Sequence, residues 1–383
     1  MKITHVSLCG TVTDNLSYQD NLLPKYHKKL GFEVSMVTSK YILNDEGQLT
    51  VDERSQYINK DGVKIIRIEN MFGTTVNSKF KLYKGLYKVI EQEQPDILFI
   101  HGVQFINIAD IVKYVKKQPH VKVYVDNHAD FSNSARNWLS LNILHKVIWR
   151  FFAKMIEPYT TKFYGVLPAR VDFLKRVYGL PEEKVELLLM GADDEKVQKA
   201  RDPLVRKAIR ERHGIKEDDF LIVTGGKIDK PKWQTLLLME AVQKIGTERV
   251  KLIVFGSVID ELRGKVESLS DGKKVQYIGW ISADEAYEYF ASADLVVFPG
   301  RHSVFWEQVA GLGVPMIVKY WEGTTHVDVG GNCEFLYNDS VEEIREKIEK
   351  LALNKEIYNE MKRKALNAME KFSYKKIAEE SIK

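Results

Sequence analysis

A chain of 383 residues exceeds one ordinary hydrophobic core and suits two α/β domains. Its 44% hydrophobic and 29% charged residues fit a soluble globular enzyme, and a formal charge of only +4 creates no demand for a nucleic-acid partner. Two distant cysteines, Cys9 and Cys333, supply neither a disulfide framework nor zinc-ligand spacing, and fit a reducing cytoplasm.

The first residues, Met1–Leu8, enter a strand without a signal-peptide core. No window nears the roughly 18 uninterrupted apolar residues of a membrane span. The protein is therefore expected in the cytoplasm, with peripheral contact at the inner face of the cell membrane as a further expectation. Predicted strands in the first half are Ile3–Leu8, Glu33–Thr38, Val63–Ile68, Ile97–Ile100, Val121–Asp126 and Phe163–Leu167. In the second half they are Phe220–Thr224, Lys251–Phe255, Val275–Ile278, Leu295–Phe298 and Val314–Val318. Several are apolar at nearly every position, as parallel strands covered on both faces must be. Alternation with longer amphipathic stretches implies βαβ units and doubly wound sheets. The pattern pauses over the polar segment Ala192–Pro203 and then repeats. The expected domains are 1–192 and 193–372, with a last helix, 373–383, packing back on the first. Two Rossmann-like domains then face each other across a cleft, with ligands at the carboxyl ends of the strands.

In the first domain, Gly10 follows the first strand and precedes a helix from about Tyr18 to Leu30. A glycine there lets the helix point its N-terminus at an anion, although single glycines are common in such loops. His101 and His128 each end a strand, where a histidine serves either a ligand or the local structure. Asp126 and Asp130 flank His128 and could orient it or meet an acceptor. Two stretches, Phe80–Ile90 and Leu141–Ile156, mix apolar and basic residues at helical spacing. They suit either an anionic lipid surface or core helices whose lysines reach out to water.

The second domain opens with a strand ending at Gly225 and Gly226, followed by Lys227 and Lys232. Two ammonium groups at a strand's carboxyl end suit a diphosphate whose charge grows as it leaves; the same residues also suit a solvated basic turn. Further on, the Leu295–Phe298 strand leads through Gly300, Arg301, His302, Ser303 and Val304 into a helix. Ser303 is the expected N-cap, with the amides after it forming an anion site. Glu307, one turn in, can accept both hydroxyls of a ribose, or simply complement the helix dipole. Tyr320–Asn332, containing His326 and Asp328, is rich in groups able to hydrogen-bond a sugar, and equally suits a long surface loop. The spacing of His302, His326 and Asp328 is not diagnostic of a metal, and none is expected.

These residues resemble the retaining, GT-B-fold glycosyltransferases of group 1, or family 4. Gly226-Lys227-Ile228-Asp229-Lys230-Pro231-Lys232 is similar to the family's Gly-Arg-Leu-x-x-x-Lys loop, with lysine in place of arginine. Glu307, Gly313 and Pro315 are similar to the second glutamate of the family's Glu-x7-Glu motif and the Gly-x-Pro after it, with one extra residue between. The first glutamate falls on Pro299 and is absent, which removes a donor-sugar contact that Arg301 or His302 would have to replace.

The resemblance covers nearly the whole chain. It implies that Gly10, Gly226, Lys227, Lys232, His302, Ser303 and Val304 bind the donor diphosphate, and that Glu307 binds the ribose. It further implies that Gly256, Trp280 and Ile281 surround the nucleobase, and that His128 meets the donor sugar. His101, Asp126, Asp130, Arg301 and His326 are candidates for sugar or acceptor contacts. The implied partners are a nucleoside-diphosphate sugar and a glycan acceptor, with a lipid-linked one natural for cell-surface polysaccharide synthesis. A weakened binding subunit and a sugar-nucleotide epimerase remain open on the same architecture.

Overall fold

A computed structural model of the protein describes residues 1–14, 16–44, 48–72 and 81–383. The chain divides into two compact units: Met1–Leu189 with Ile377–Lys383, and Met190–Lys376. In the first unit the strands are β1 (Lys2–Ser7), β2 (Glu33–Ser39), β3 (Tyr41–Leu43), β4 (Leu49–Val51), β5 (Gln56–Ile58), β6 (Lys64–Ile68), β7 (Ile97–His101), β8 (Lys122–Asn127), β9 (Lys162–Gly165) and β10 (Val185–Leu187). Eight of them form one sheet in the order β10-β9-β8-β7-β1-β2-β6-β5, parallel except for edge strand β5, while β3 and β4 make a small separate hairpin.

The second unit continues with β11 (Phe220–Gly225), β12 (Val250–Phe255), β13 (Val275–Tyr277), β14 (Leu295–Phe298), β15 (Met316–Lys319) and β16 (Cys333–Leu336). Their order, β13-β12-β11-β14-β15-β16, is the doubly wound order of a nucleotide-binding fold, parallel throughout. In both sheets the order reverses beside the first strand: between β1 and β7, and between β11 and β14. Loops leaving the carboxyl ends of those strands diverge there and open a crevice.

The central strands bury both faces. Ile3 and Val6 of β1, and Leu221, Ile222 and Val223 of β11, are wholly inaccessible. Covering helices supply apolar stripes at helical spacing; Ile108–Lys117 buries Ile108, Ile111, Val112 and Val115. The expected strands all form, with ends shifted by one or two residues. The short strands β3, β4, β5, β10 and β16 join them. The stretch Leu141–Ile156 is not one regular helix. Ser140–Trp149 winds in wide π turns before Arg150–Ile156 resumes α geometry, and wide turns of this kind often mark functional sites.

Candidate functional site

In the second unit, the loops after β11, β12 and β14 converge. Gly226 has φ +116° and Gly256 has φ +124°, and a Cβ on Gly256 would stand 2.0 Å from the Gly226 carbonyl oxygen. Only glycine permits that approach. Lys232 closes the single 3-10 turn Lys230–Lys232, and a Cβ on Gly226 would lie 3.7 Å from its Nζ. Gly300, from the loop after β14, approaches so closely that a Cβ there would meet Lys232 Cα at 3.2 Å. Gly256 thus packs on Gly226, and Gly226 and Gly300 pack against Lys232. Burial pulls the Lys232 ammonium below its usual range, against Asp229, which raises it; an anion beside it would relieve that desolvation. Lys227 is exposed on the same loop.

The helix after β14 spans Phe305–Leu312, and its N-cap is Val304, with no side-chain cap hydrogen bond. The expected cap at Ser303 is therefore corrected. The chain tightens first, Trp306 N donating to the Ser303 carbonyl at 3.0 Å, so the helix begins beyond the serine. Whatever anion affinity this end has comes from the backbone. Arg301 is exposed just before it.

Glu307 is wholly buried one turn in. His302 Nε2 and His326 Nε2 each donate to its Oε1 at 2.7 Å, the first from the loop after β14 and the second from the 3-10 turn after β15. Burial alone would raise this carboxyl, but the two imidazoles outweigh it and hold the group at about 2. Oε2 makes no hydrogen bond within the described residues. A two-oxygen grip on a ribose would have to displace an imidazole, so Oε2 is the oxygen left uncommitted for a ribose hydroxyl. The three ligand atoms lie within 4.8 Å of one another, and this donor set could hold a divalent ion in place of the ring protons. The 2.7 Å separations are those of charge-assisted N–H···O bonds.

On the other side of β11, Gly256 N donates to the Gly279 carbonyl at 2.7 Å, and Tyr277 Oη donates to the Gly256 carbonyl at 2.8 Å. These bonds fix the turn next to Trp280, whose ring is 73% exposed and available for stacking, and Ile281.

In the first unit, Gly10 lies exposed just after β1. Register pairs His101 at the end of β7 with Asp126 on β8. His101 Nδ1 donates to Asp126 Oδ2 at 2.8 Å, and His128 Nε2 stands 3.3 Å from Asp126 Oδ1. Asp130 is committed within its own loop. One oxygen caps the Ser132 and Asn133 amides, and the other takes Arg170 Nε at 3.1 Å. Of the three, His128 is partly exposed and Asp126 lies wholly buried behind it. Sequence reasoning missed His5, His27 and Gln19, which lie behind them; single histidines inside a strand and a helix carry no local signal.

The π-helical stretch lines a groove of ≈ 620 Å³ with Leu139, Ile143, Ile148 and Phe152, and Lys81 and Gln104 add polar groups. Around it Trp138, Val147 and Phe151 are exposed, interspersed with exposed Arg136, Lys146, Arg150 and Lys154. In the other basic stretch, Tyr83, Leu86 and Ile90 turn inward; Phe80 lies outside the described residues.

Two doubly wound sheets of this order give the chain the GT-B fold. Residues 205–368 match the family model described as "Glycosyl transferases group 1". Among curated proteins, the mannosylfructose-phosphate synthase of Agrobacterium fabrum is 26% identical over 149 residues, which are 36% of this chain. That alignment spans about a third, 32%, of the relative's length. Two solved structures share the fold over 99% of this chain and 98% of theirs, each at 13% identity and a TM-score of 0.67. They are Alr3699/HepE of Anabaena, in complex with UDP and glucose, and WaaG, a glycosyltransferase involved in lipopolysaccharide biosynthesis.

Proposed function

We propose that the protein transfers a sugar, with retention of configuration, from a nucleoside-diphosphate sugar to a glycan acceptor carried on a lipid. The observation that carries this reading is the convergence of Gly226, Lys232, Gly300 and the Phe305–Leu312 helix start at the switch point between β11 and β14. A desolvated ammonium, a neighbouring exposed one at Lys227, and backbone amides at a helix start together complement a diphosphate. Glu307 Oε2 would take a ribose hydroxyl and Trp280 would stack on the base. Uridine is the first base to test, because the Anabaena neighbour is described with UDP.

In the reaction the bond from the anomeric carbon to the diphosphate oxygen breaks, and negative charge develops on that oxygen. Lys227, Lys232 and the helix-start amides stabilise it, supplying the positive charge that a metal would otherwise bring. The acceptor hydroxyl forms the new bond on the face the leaving group departs from, and its proton passes to the diphosphate. No protein nucleophile is required, and retention follows from that same-face geometry.

The first unit supports the lipid-linked acceptor. The groove beside Ser140–Trp149 is apolar, and the exposed aromatic and basic residues around it suit an anionic lipid surface. The Asp126–His128 pair would meet sugar hydroxyls. Lys232→Ala is expected to lower kcat/KM for transfer about a hundredfold, the usual loss of one charge-stabilising donor; unchanged kinetics would refute the diphosphate assignment. Pro299, standing where the resemblance places a sugar-contacting glutamate, favours one second reading: a subunit that binds the donor without turning it over. Donor binding with neither transfer nor hydrolysis across a panel of acceptors would establish that alternative.

A further inference from the structure

Behind Asp126, three buried histidines from three elements form a continuous hydrogen-bonded row. His27, on the Gln19–Lys29 helix, places Nδ1 3.0 Å from His5 Nε2 on β1. His5 Nδ1 lies 3.0 Å from His101 Nε2, and His101 Nδ1 lies 2.8 Å from Asp126 Oδ2. At the far end, His27 Nε2 stands 3.1 Å from the Ala378 carbonyl oxygen and 3.0 Å from Ser381 Oγ, both in the C-terminal segment. His5, His27 and Asp126 are wholly inaccessible and His101 nearly so.

Both ends of this row are acceptors, a carboxylate at one and a backbone carbonyl at the other. Four links therefore each need one proton: Asp126–His101, His101–His5, His5–His27 and His27–Ala378. Three neutral imidazoles carry three. All four links are made only when the row holds one extra proton, as a single imidazolium beside the Asp126 carboxylate. His101 is its seat. Burial lowers this ring, but Asp126 and Asp20 outweigh burial and raise it. Burial, with the neighbouring rings, pushes His5 well down, and burial against the Ala378 carbonyl leaves His27 at about 4.

The other groups facing the row are few. Asp20, on the His27 helix, is 3.5 Å from His101 Nδ1 and accepts from Ser7 Oγ on β1. Gln19 Nε2 donates to Asp126 Oδ2 at 3.1 Å. Phe99 of β7 packs on all three rings and Phe32 on His27. Cys9 is close enough for its thiol to feel Asp126, Asp20 and Lys81. From the loop after β8 comes His128. Asp126 Oδ1 and His128 Nε2 are both buried and neither makes a hydrogen bond within the described residues. They face each other at 3.3 Å, so the Asp126 charge bears directly on His128, whose side chain is partly exposed.

We infer that His27, His5 and His101 are positioning residues that share one proton, holding Asp126 as an anion against His128, the partly exposed ring that a ligand hydroxyl meets. The row also ties that charge to the seat of the C-terminal helix. When the extra proton leaves, His27 Nε2 becomes an acceptor facing the Ala378 carbonyl. Ser381 must then turn its hydroxyl, which now donates to that carbonyl at 2.9 Å, towards the ring. Only the ligand-facing part of this inference rests on the glycosyltransferase reading; the shared proton does not.

The test is ring-nitrogen NMR of the full chain labelled at histidine, followed across the neutral pH range. The expected result is one titration with a common midpoint at His5, His27 and His101. Ser381→Ala removes the donor that serves the neutral row, so the midpoint should rise by about one pH unit, the size of one hydrogen bond. Rings fixed in one tautomer throughout, or three unrelated midpoints, would overturn the inference, as would an unmoved midpoint in Ser381→Ala. If that variant fails to fold, the unsubstituted chain still decides whether the titration is shared. Once a donor is in hand, the pH profile of kcat in Ser381→Ala should move with the midpoint while KM for donor stays put. A moved NMR midpoint with an unmoved profile would remove the ligand-facing role. Failure of every donor leaves the NMR result standing, which separates this inference from the proposed reaction.

Discussion

At Glu307 a wholly buried carboxylate is kept ionised by His302 and His326, which approach from two different loops. Its folded value, about 2, lies below the ordinary 4.5. The stability it contributes is therefore complete above pH ~4.5 and lost as pH falls towards 2. Glu307→Gln should cost about 3 kcal/mol of denaturant stability at neutral pH, the scale of breaking a buried ion pair. It should also flatten the pH dependence in that acid window; an unchanged acid limb would show that the two imidazoles do not hold the charge. Gly256→Ala makes a steric prediction. A Cβ 2.0 Å from the Gly226 oxygen must push the two loops apart, so nucleotide affinity should fall at least tenfold, measured by calorimetry. Wild-type affinity would mean the loops are not part of the grip. The positions of Lys227 and Lys232 in a strand-end loop, and of Glu307 in the first turn of a helix, were legible because such loops and helix starts have local spacing. The pairing of His326 with Glu307, nineteen positions away, was not, since it depends on how the loops after β14 and β15 are brought together.

At the scale of elements, apolar runs revealed the strands that are buried on both faces. Strands β3, β4 and β5 escaped because their residues are half-buried or exposed and carry no run to read. The wide turns of Ser140–Trp149 escaped for another reason: composition signals a helix but not its hydrogen-bond spacing. Along these turns and the helix that follows, Val147 is 58% and Phe151 60% exposed, near exposed Lys146 and Arg150. Replacing Val147 and Phe151 together by aspartate should weaken binding to anionic vesicles at least tenfold, measured by co-sedimentation, with little change in the unfolding temperature. Equal sedimentation of variant and parent would assign the patch to something other than lipid. The start of the Phe305–Leu312 helix shows the limit of reading caps: serine is a good cap, yet local tightening moved the start past it.

For the whole molecule, two doubly wound sheets were readable from the twice-repeated alternation of strand and helix, because parallel strands leave the strongest apolar signature. The strand order that sets each switch point was not readable, being fixed by which strands pair in space. The family match, residues 205–368, falls entirely in the second unit, where the proposed donor grip lies. That grip is the central claim, and calorimetric titration with uridine, guanosine, adenosine and thymidine diphosphates tests it most directly. One of these should bind the intact chain with micromolar affinity, and Lys232→Ala should weaken it at least tenfold while leaving the fold intact. No binding by any of them, or equal binding by the parent and the Lys232→Ala chain, would contradict the account.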